Sequence, residues 1–210
     1  MIETPDAPAV PPRSVDLVAA ARALDDFLRA LGHEQTRNPE LIGTGARVAQ
    51  AFASEFCAGE SVDLEKIVAP HRIDAPSAAG AHGETGSPSA RVLLRHLPLI
   101  TMCPHHLLPA EGTADIAYEP LDHIVGIGAL ASLVEVAGRR LVLQETLSRD
   151  VTDVIARVLA PRWVLVRMRL AHSCMRLRGE RAHGSEVETW SSSGTVPDSA
   201  YALLSSGGSR

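Results

Sequence analysis

Leu97-Pro98-Leu99-Ile100-Thr101-Met102-Cys103-Pro104-His105-His106-Leu107-Leu108-Pro109 is the stretch on which the reading of this chain turns. With Val92 and Leu94 ahead of it, the apolar run Leu97–Ile100 reads as a strand over Arg91 to Met102. Ile116 and Tyr118 alternate with smaller residues across a second strand, Thr113 to Glu119. Cys-Pro-His-His therefore lies where two antiparallel strands connect, a place where a scaffold fixes side chains and leaves one face open. The chain has three cysteines. One of them, Cys174, follows His172 directly after a further strand, Trp163 to Ala171. Zn²⁺ takes thiolate and imidazole in tetrahedral geometry, and a catalytic site uses three protein ligands plus a water. Cys103, His106 and Cys174 supply that set and leave His105 and His172 beside the metal to move protons. The plainer alternative is two unrelated buried cysteines with hydrogen-bonded histidines nearby, since a lone Cys-x-x-His decides nothing. A structural zinc wants four protein ligands. Cys57 is too far upstream to be an obvious fourth and reads as a small buried hydrophobe.

Outward from these pieces, Leu130, Leu133, Val134 and Ala137 predict a helix from about Ala129 to Arg139. Leu147, Val151, Val154, Ile155 and Val158 predict a longer one, ended by Pro161. Glu186 to Thr195 reads as the last strand, after the Gly179–Gly184 turn, and the tail beyond it is expected to fray. Two hairpins separated by a helix pair give an α+β architecture over 91–210, an antiparallel sheet with helices on one face. Its open edges need cover, so a homo-oligomer is expected. Residues 1–13, with Pro5, Pro8, Pro11 and Pro12, read as a disordered tail. An N-terminal helical region, 14–66, follows. Ser14 is the expected N-cap of a helix carrying Leu17, Leu24, Phe27 and Leu31 and stopped by Gly32. Thr44 is the expected cap of a second, with Val48, Ala51, Phe52 and Phe56 on its apolar stripe. The segment 67–90 reads as a mobile loop, because from Asp74 to Ser89 the composition turns to Ala, Gly, Ser, Pro and His without periodicity.

Composition narrows the function. Across 210 residues the apolar fraction is 45%, ordinary for a chain with a real core, and aromatics are only 3%, so Leu, Val, Ile and Ala do the filling. A net charge of −5 with no long basic block argues against nucleic acid or an anionic membrane as partner. No apolar run approaches the roughly 18 residues of a membrane span. Met1 to Pro12 is acidic and proline-rich with no apolar signal core, and sparse cysteine favours thiols or metal ligation over disulfides. The expected location is cytoplasmic.

Cys103-Pro104-His105-His106-Leu107-Leu108-Pro109, the Gly126-Ile127-Gly128 turn, the run Arg139 to Leu147 and His172-Ser173-Cys174-Met175-Arg176-Leu177-Arg178-Gly179 resemble, in order and spacing, the GTP cyclohydrolase I family. The resemblance runs from about Ala46 to Thr195. It implies the tunnelling fold (ββααββ), a toroidal decamer with sites at subunit interfaces, and hydrolysis of GTP to formate and 7,8-dihydroneopterin triphosphate on the way to folate and biopterin. It implies Cys103, His106 and Cys174 as zinc ligands, the metal lowering the pKa of water towards ~7 for attack on guanine carbon 8. His172 matches a proton shuttle and His105 a histidine beside the substrate. Glu145 matches the carboxylate that accepts from guanine N1–H and the 2-amino group, and Gln144 helps hold the same ring. Arg47 and Arg178 match residues that grip the triphosphate. Without the resemblance, Gln144 and Glu145 are polar residues opening a helix, where Glu suits the dipole.

The match breaks in one place above all. A Ser-Lys-Leu-x-Arg-like segment is replaced by Gly128-Ala129-Leu130-Ala131-Ser132, so Ala129 stands at the lysine position and Ser132 at the arginine position. Each lost charge-assisted hydrogen bond is worth roughly 1.5–3 kcal/mol. Pro104 replaces an acidic residue, and Gly45 stands where the family has proline. Either His82, Arg91, Arg139, Arg140, Arg176 or Arg181 replaces the cations, or the substrate is a related purine or pterin with fewer phosphates. A third possibility is a non-catalytic purine- or pterin-binding member.

Overall fold

Apolar residues at helical spacing build the N-terminal part of the chain. A computed structural model describes residues 14–74 and 90–205, divided into two compact units at Val62 and Asp63. The expected tail, 1–13, and most of the expected loop, 75–89, lie outside the described residues.

In the first unit, α1 spans Leu17–Ala30 and Gly32 follows it at φ +85°. The N-cap is Asp16 rather than the expected Ser14: its Oδ1 accepts from Ala19 N–H at 2.9 Å, the reach a cap side chain needs. The second helix, α2 (Thr44–Ala51), runs on into a π-helical turn, Phe52–Phe56. Thr44 is its first residue instead of its cap, a place held by left-handed Gly43. The glycine at 45 has a physical reason. A Cβ there would come 2.3 Å from the Ala21 carbonyl oxygen, and its N–H donates to Asp25 Oδ1 at 3.2 Å. Proline would lose that donor and add carbon where none fits.

The second unit begins with α3 (Glu65–Val68), a 3₁₀ turn (Ala69–His71) and β1 (Arg72–Asp74). These elements run from 65 to 74 and so take up the start of the expected loop, 67–90. The hairpin is β2 (Val92–Met102) and β3 (Pro109–Glu119). Next come β4 (His123–Val125), which pairs with β1, then α4 (Ile127–Gly138), α5 (Gln144–Leu159), β5 (Trp163–His172) and β6 (Val187–Gly194). The four long strands form one antiparallel sheet in the order β2-β3-β5-β6. This is the ββααββ arrangement of the tunnelling fold, an α+β architecture. None of the described helices is long and apolar enough to cross a membrane.

One sheet face carries Leu99, Ile116, Val164, Val166, Met168 and Leu170 against Leu130, Leu133 and Val134 of α4 and Leu147, Val151 and Ile155 of α5. Each such side chain, fully buried, contributes about 1.5–3 kcal/mol. This core makes the platform rigid. At Gly112 of β3 a Cβ would come 2.0 Å from the Arg169 carbonyl oxygen, so only glycine lets β3 and β5 lie this close. A bulge at His96, φ +56°, interrupts the β2–β3 register, and its N–H donates to Asp115 Oδ1 at 2.8 Å.

The expected helices on one face are α4 and α5. A further helix, α7 (Asp198–Ser205), covers part of the other face, packing Ala200 and Leu204 on Ala117, Trp163 and Leu165. Its last carbonyls are held by arginines: Arg95 donates to Leu203 O at 2.6 Å, and Arg167 donates to Leu204 O. The chain past Thr195 is thus ordered as far as Ser205 instead of frayed. Residues 206–210 lie outside the described residues.

Candidate metal centre and ligand cleft

The β2–β3 connection is a closed turn. Cys103 N–H donates to Leu108 O and Leu107 N–H to Cys103 O, both at 2.9 Å, with Leu107 in the left-handed region at φ +53°. Beyond it Met102 pairs with Pro109. A short helix, α6 (Ser173–Arg176), starts directly after β5 and carries Cys174. Because Ala110 pairs with His172 across β3 and β5, the turn and α6 emerge at the same end of the sheet.

Among the described residues, Cys103, His106 and Cys174 form a group able to hold a metal ion, with one donor atom from each all within 4.8 Å of one another. Cys103 Sγ and His106 Nδ1 are 3.7 Å apart. Zinc bonds of about 2.3 Å to sulfur and about 2.0–2.1 Å to nitrogen, at a tetrahedral angle, separate such donors by about 3.6 Å. Two sulfurs and an imidazole suit zinc, and three donors leave one position open. Electrostatics agrees. Burial pushes the Cys174 thiol up, and the neighbouring Cys103 pushes it further, with Arg178 opposing. The two sulfurs can ionise together only with a cation between them.

A cleft of about 170 Å³ adjoins the three donors and is also lined by His105, Gln144, Glu145 and His172. His105 and His106 are exposed, their rings edge-on with centroids 6.2 Å apart. Burial depresses His172 below the ordinary histidine range, with the Glu145 carboxylate opposing, which favours a neutral ring. Glu145 is exposed in the first turn of α5. Gln144, by contrast, is 3% exposed. Its Nε2 donates to Met168 O (3.1 Å), Val187 O (2.9 Å) and Thr189 Oγ1 (3.2 Å), and its Oε1 lies 2.8 Å from His172 Nε2. Thr101, Met175 and Val187 also line the cleft. Only the strand register could have singled out Thr101 and Val187, while Met175 comes with Cys174 on α6.

The cations are distributed differently from the residues above. Arg178 is exposed and close enough for its charge to act on Cys174. Arg47 belongs to the N-terminal unit, where its guanidinium donates to Ile42 O (3.0 Å), Glu40 O (3.4 Å) and Thr44 Oγ1 (2.9 Å). Ala129 and Ser132 line a shallow depression together with Gly128, Lys66 and His71. Lys66 is ion-paired with Asp63 at 3.4 Å, both side chains largely exposed. The sequence did not single out Lys66, because the approach of α3 to the start of α4 is tertiary. Three of the proposed substitutes have other partners: Arg91 with Glu119, Arg139 with Glu135, and Arg140 with Asp150. His82 lies outside the described residues.

The sequence model of GTP cyclohydrolase I matches residues 20–202. The chain belongs to the GTP cyclohydrolase I family. It is 32% identical over 170 residues to the GTP cyclohydrolase 1 of Allorhizobium ampelinum, covering 81% of this chain and 79% of that one. With the GTP cyclohydrolase 1 of Rhodopirellula baltica it shares 37% identity over 175 residues, 83% and 70% of the two chains. The crystal structure of an apo archaeosine synthase QueF-like protein overlaps 53% of this chain and 100% of its own, at 24% identity and a TM-score of 0.40. Membership of the GTP cyclohydrolase I family makes this an enzyme with a GTP cyclohydrolase-like function.

Proposed function

We propose that the chain opens the imidazole ring of guanine in GTP by hydrolysis, releasing formate and yielding 7,8-dihydroneopterin triphosphate after the ring recloses. The observation that carries this reading is the convergence of Cys103, His106 and Cys174 donor atoms within 4.8 Å beside a cleft lined by His105, Glu145 and His172. Zinc held by those donors supplies Lewis acidity and an activated water. His172, neutral through burial, accepts a proton as water adds at carbon 8 and returns it to the departing ring nitrogen. His105, on the same turn as the ligands, stands beside the substrate for a further transfer. Glu145 offers two acceptors to two adjacent donors, guanine N1–H and the 2-amino group.

The cleft of about 170 Å³ is below the roughly 300–1,000 Å³ of pockets that enclose a whole ligand. We therefore assign this wall to the reacting base. Within the second unit the phosphates fall to Arg178, with Lys66 and His71 standing beside the uncharged Ala129 and Ser132. Among the described residues β2 and β6 pair with no further strand, and such edges favour a homo-oligomer with sites completed between subunits.

A second reading, a related purine or pterin substrate with fewer phosphates, is favoured by Ala129 and Ser132 themselves. The test is to incubate zinc-loaded protein with GTP, GMP and guanosine and to follow formate and pterin fluorescence. Formate from GTP at the highest kcat/KM upholds the proposal. Preference for GMP or guanosine selects the second reading. Tight binding without formate from any of them makes this a purine- or pterin-binding member and overturns the first.

A further inference from the structure

The Gln144 carboxamide can be oriented in only one way. Met168 O and Val187 O are backbone carbonyls, which accept and never donate, so the group 3.1 and 2.9 Å from them must be the amide NH₂. Thr189 Oγ1 stands 3.2 Å from the same nitrogen. Two hydrogens thus face three acceptors inside the protein, and none remains for a ligand. Turning the amide over would set its oxygen against two carbonyls. The oxygen is therefore fixed towards His172, and since it can only accept, the Nε2 of that ring, 2.8 Å away, must carry a hydrogen and donate it. In the neutral imidazole this leaves Nδ1 as the sole lone pair.

We infer that Gln144 is a positioning residue: anchored by the carbonyls of β5 and β6, it holds His172 in its Nε2–H tautomer with Nδ1 as the proton-accepting atom, and it acts on substrate only through that ring. The inference rests on the ring-opening reaction proposed above, in which His172 moves the proton. It differs from the resemblance, which places Gln144 on the guanine ring. The burial of Gln144, at 3% exposure, and the commitment of both its hydrogens argue against that contact. The arrangement is a relay of fixed orientations. Backbone sets amide, amide sets imidazole, and imidazole presents one nitrogen to the cleft chemistry.

The test uses the full-length zinc-loaded protein with ¹⁵N-labelled histidine and the variants Gln144→Met, His172→Ala and their double. In the wild type, His172 should show one tautomer with its proton on Nε2, measured without substrate. Gln144→Met should mix the tautomers and lower kcat by up to about 10²-fold, the cost of a misplaced catalytic group, while the dissociation constant for GTP changes less than about threefold. In the His172→Ala background, Gln144→Met should change kcat by less than about twofold, because coupled residues are non-additive. A wild-type proton on Nδ1 overturns the inference. So does a Gln144→Met protein that binds GTP more than about tenfold weaker with kcat unchanged. If Gln144→Met does not fold, the wild-type tautomer decides. If no nucleotide is turned over, the proposed reaction fails, and the tautomer still upholds or overturns the positioning role.

Discussion

Ala110 on β3 and His172 on β5 are ladder partners. That pairing gathers the site: the turn Cys103–Leu108 lies just before Ala110 and α6 just after His172, so thiols far apart in sequence reach one place. A slip of one residue would send His172 to the opposite face of the sheet.

Replacing Cys103 or Cys174 by serine, or His106 by alanine, should abolish stoichiometric zinc while the core of β2, β3, β5, β6, α4 and α5 stays folded. Activity should fall by about 10²–10³-fold or more, since metal polarisation is worth several kcal/mol. Zinc analysis beside circular dichroism checks both halves. Chelation of the wild type should do the same, reversed by added zinc.

Ala129→Lys with Ser132→Arg should tighten GTP binding by about 10–100-fold per restored cation, from roughly 1.5–3 kcal/mol each, and leave guanosine binding unchanged. Lys66→Ala should act in the opposite direction and on the triphosphate alone. Equilibrium titrations with GTP and guanosine separate the cases.

Glu145→Gln keeps one acceptor but sets a donor against a donor of guanine. Binding of guanine nucleotides should weaken by about 10–100-fold, with zinc content unchanged. Equal losses for GTP and ATP would argue against a base-reading role.

Glu188 gives a pH dependence of known sign. Burial raises its pKa, but bonds from Arg167 and Trp190 and the charges of Arg167 and Arg169 outweigh that and hold it below the ordinary glutamate value. A depressed carboxylate contributes stability that is fully present above its unfolded pKa, about 4.3, and is lost as pH falls through the lower folded value. Glu188→Gln should therefore cost up to about 1 kcal/mol at neutral pH, the scale of a part-exposed pair. The gap to wild type should close in acid, as read by urea unfolding at a series of pH values.

Most of the sheet was legible because its strands alternate or run apolar between clear breaks: β2, β5 and β6 fall nearly where Val92, Trp163 and Val187 suggest. The start of β3 was not, since Pro109 to Gly112 carries no alternation, although proline is tolerated as the first residue of a strand. Helix α7 was invisible because eight residues are too few for a periodic signal and its hold comes from Arg95 and Arg167, far back in the chain. The cleft residues Cys103, His106, Glu145, His172 and Cys174 were named from the sequence and come together in space. The partners of Gln144 could not be named, because Met168 O and Val187 O are main-chain atoms whose positions no side-chain pattern encodes.

Arg167, with its buried guanidinium, meets Glu188, the Leu204 carbonyl and the Trp190 ring at once, the last with its Cζ 5.1 Å from the ring centroid. A compact ammonium offers neither the planar fork nor the flat stacking surface that this trio requires. Exchanging it for lysine, ordinarily a mild change, would conserve charge yet unfasten α7, so sequence comparison that scores the two residues as equivalents would misjudge this position.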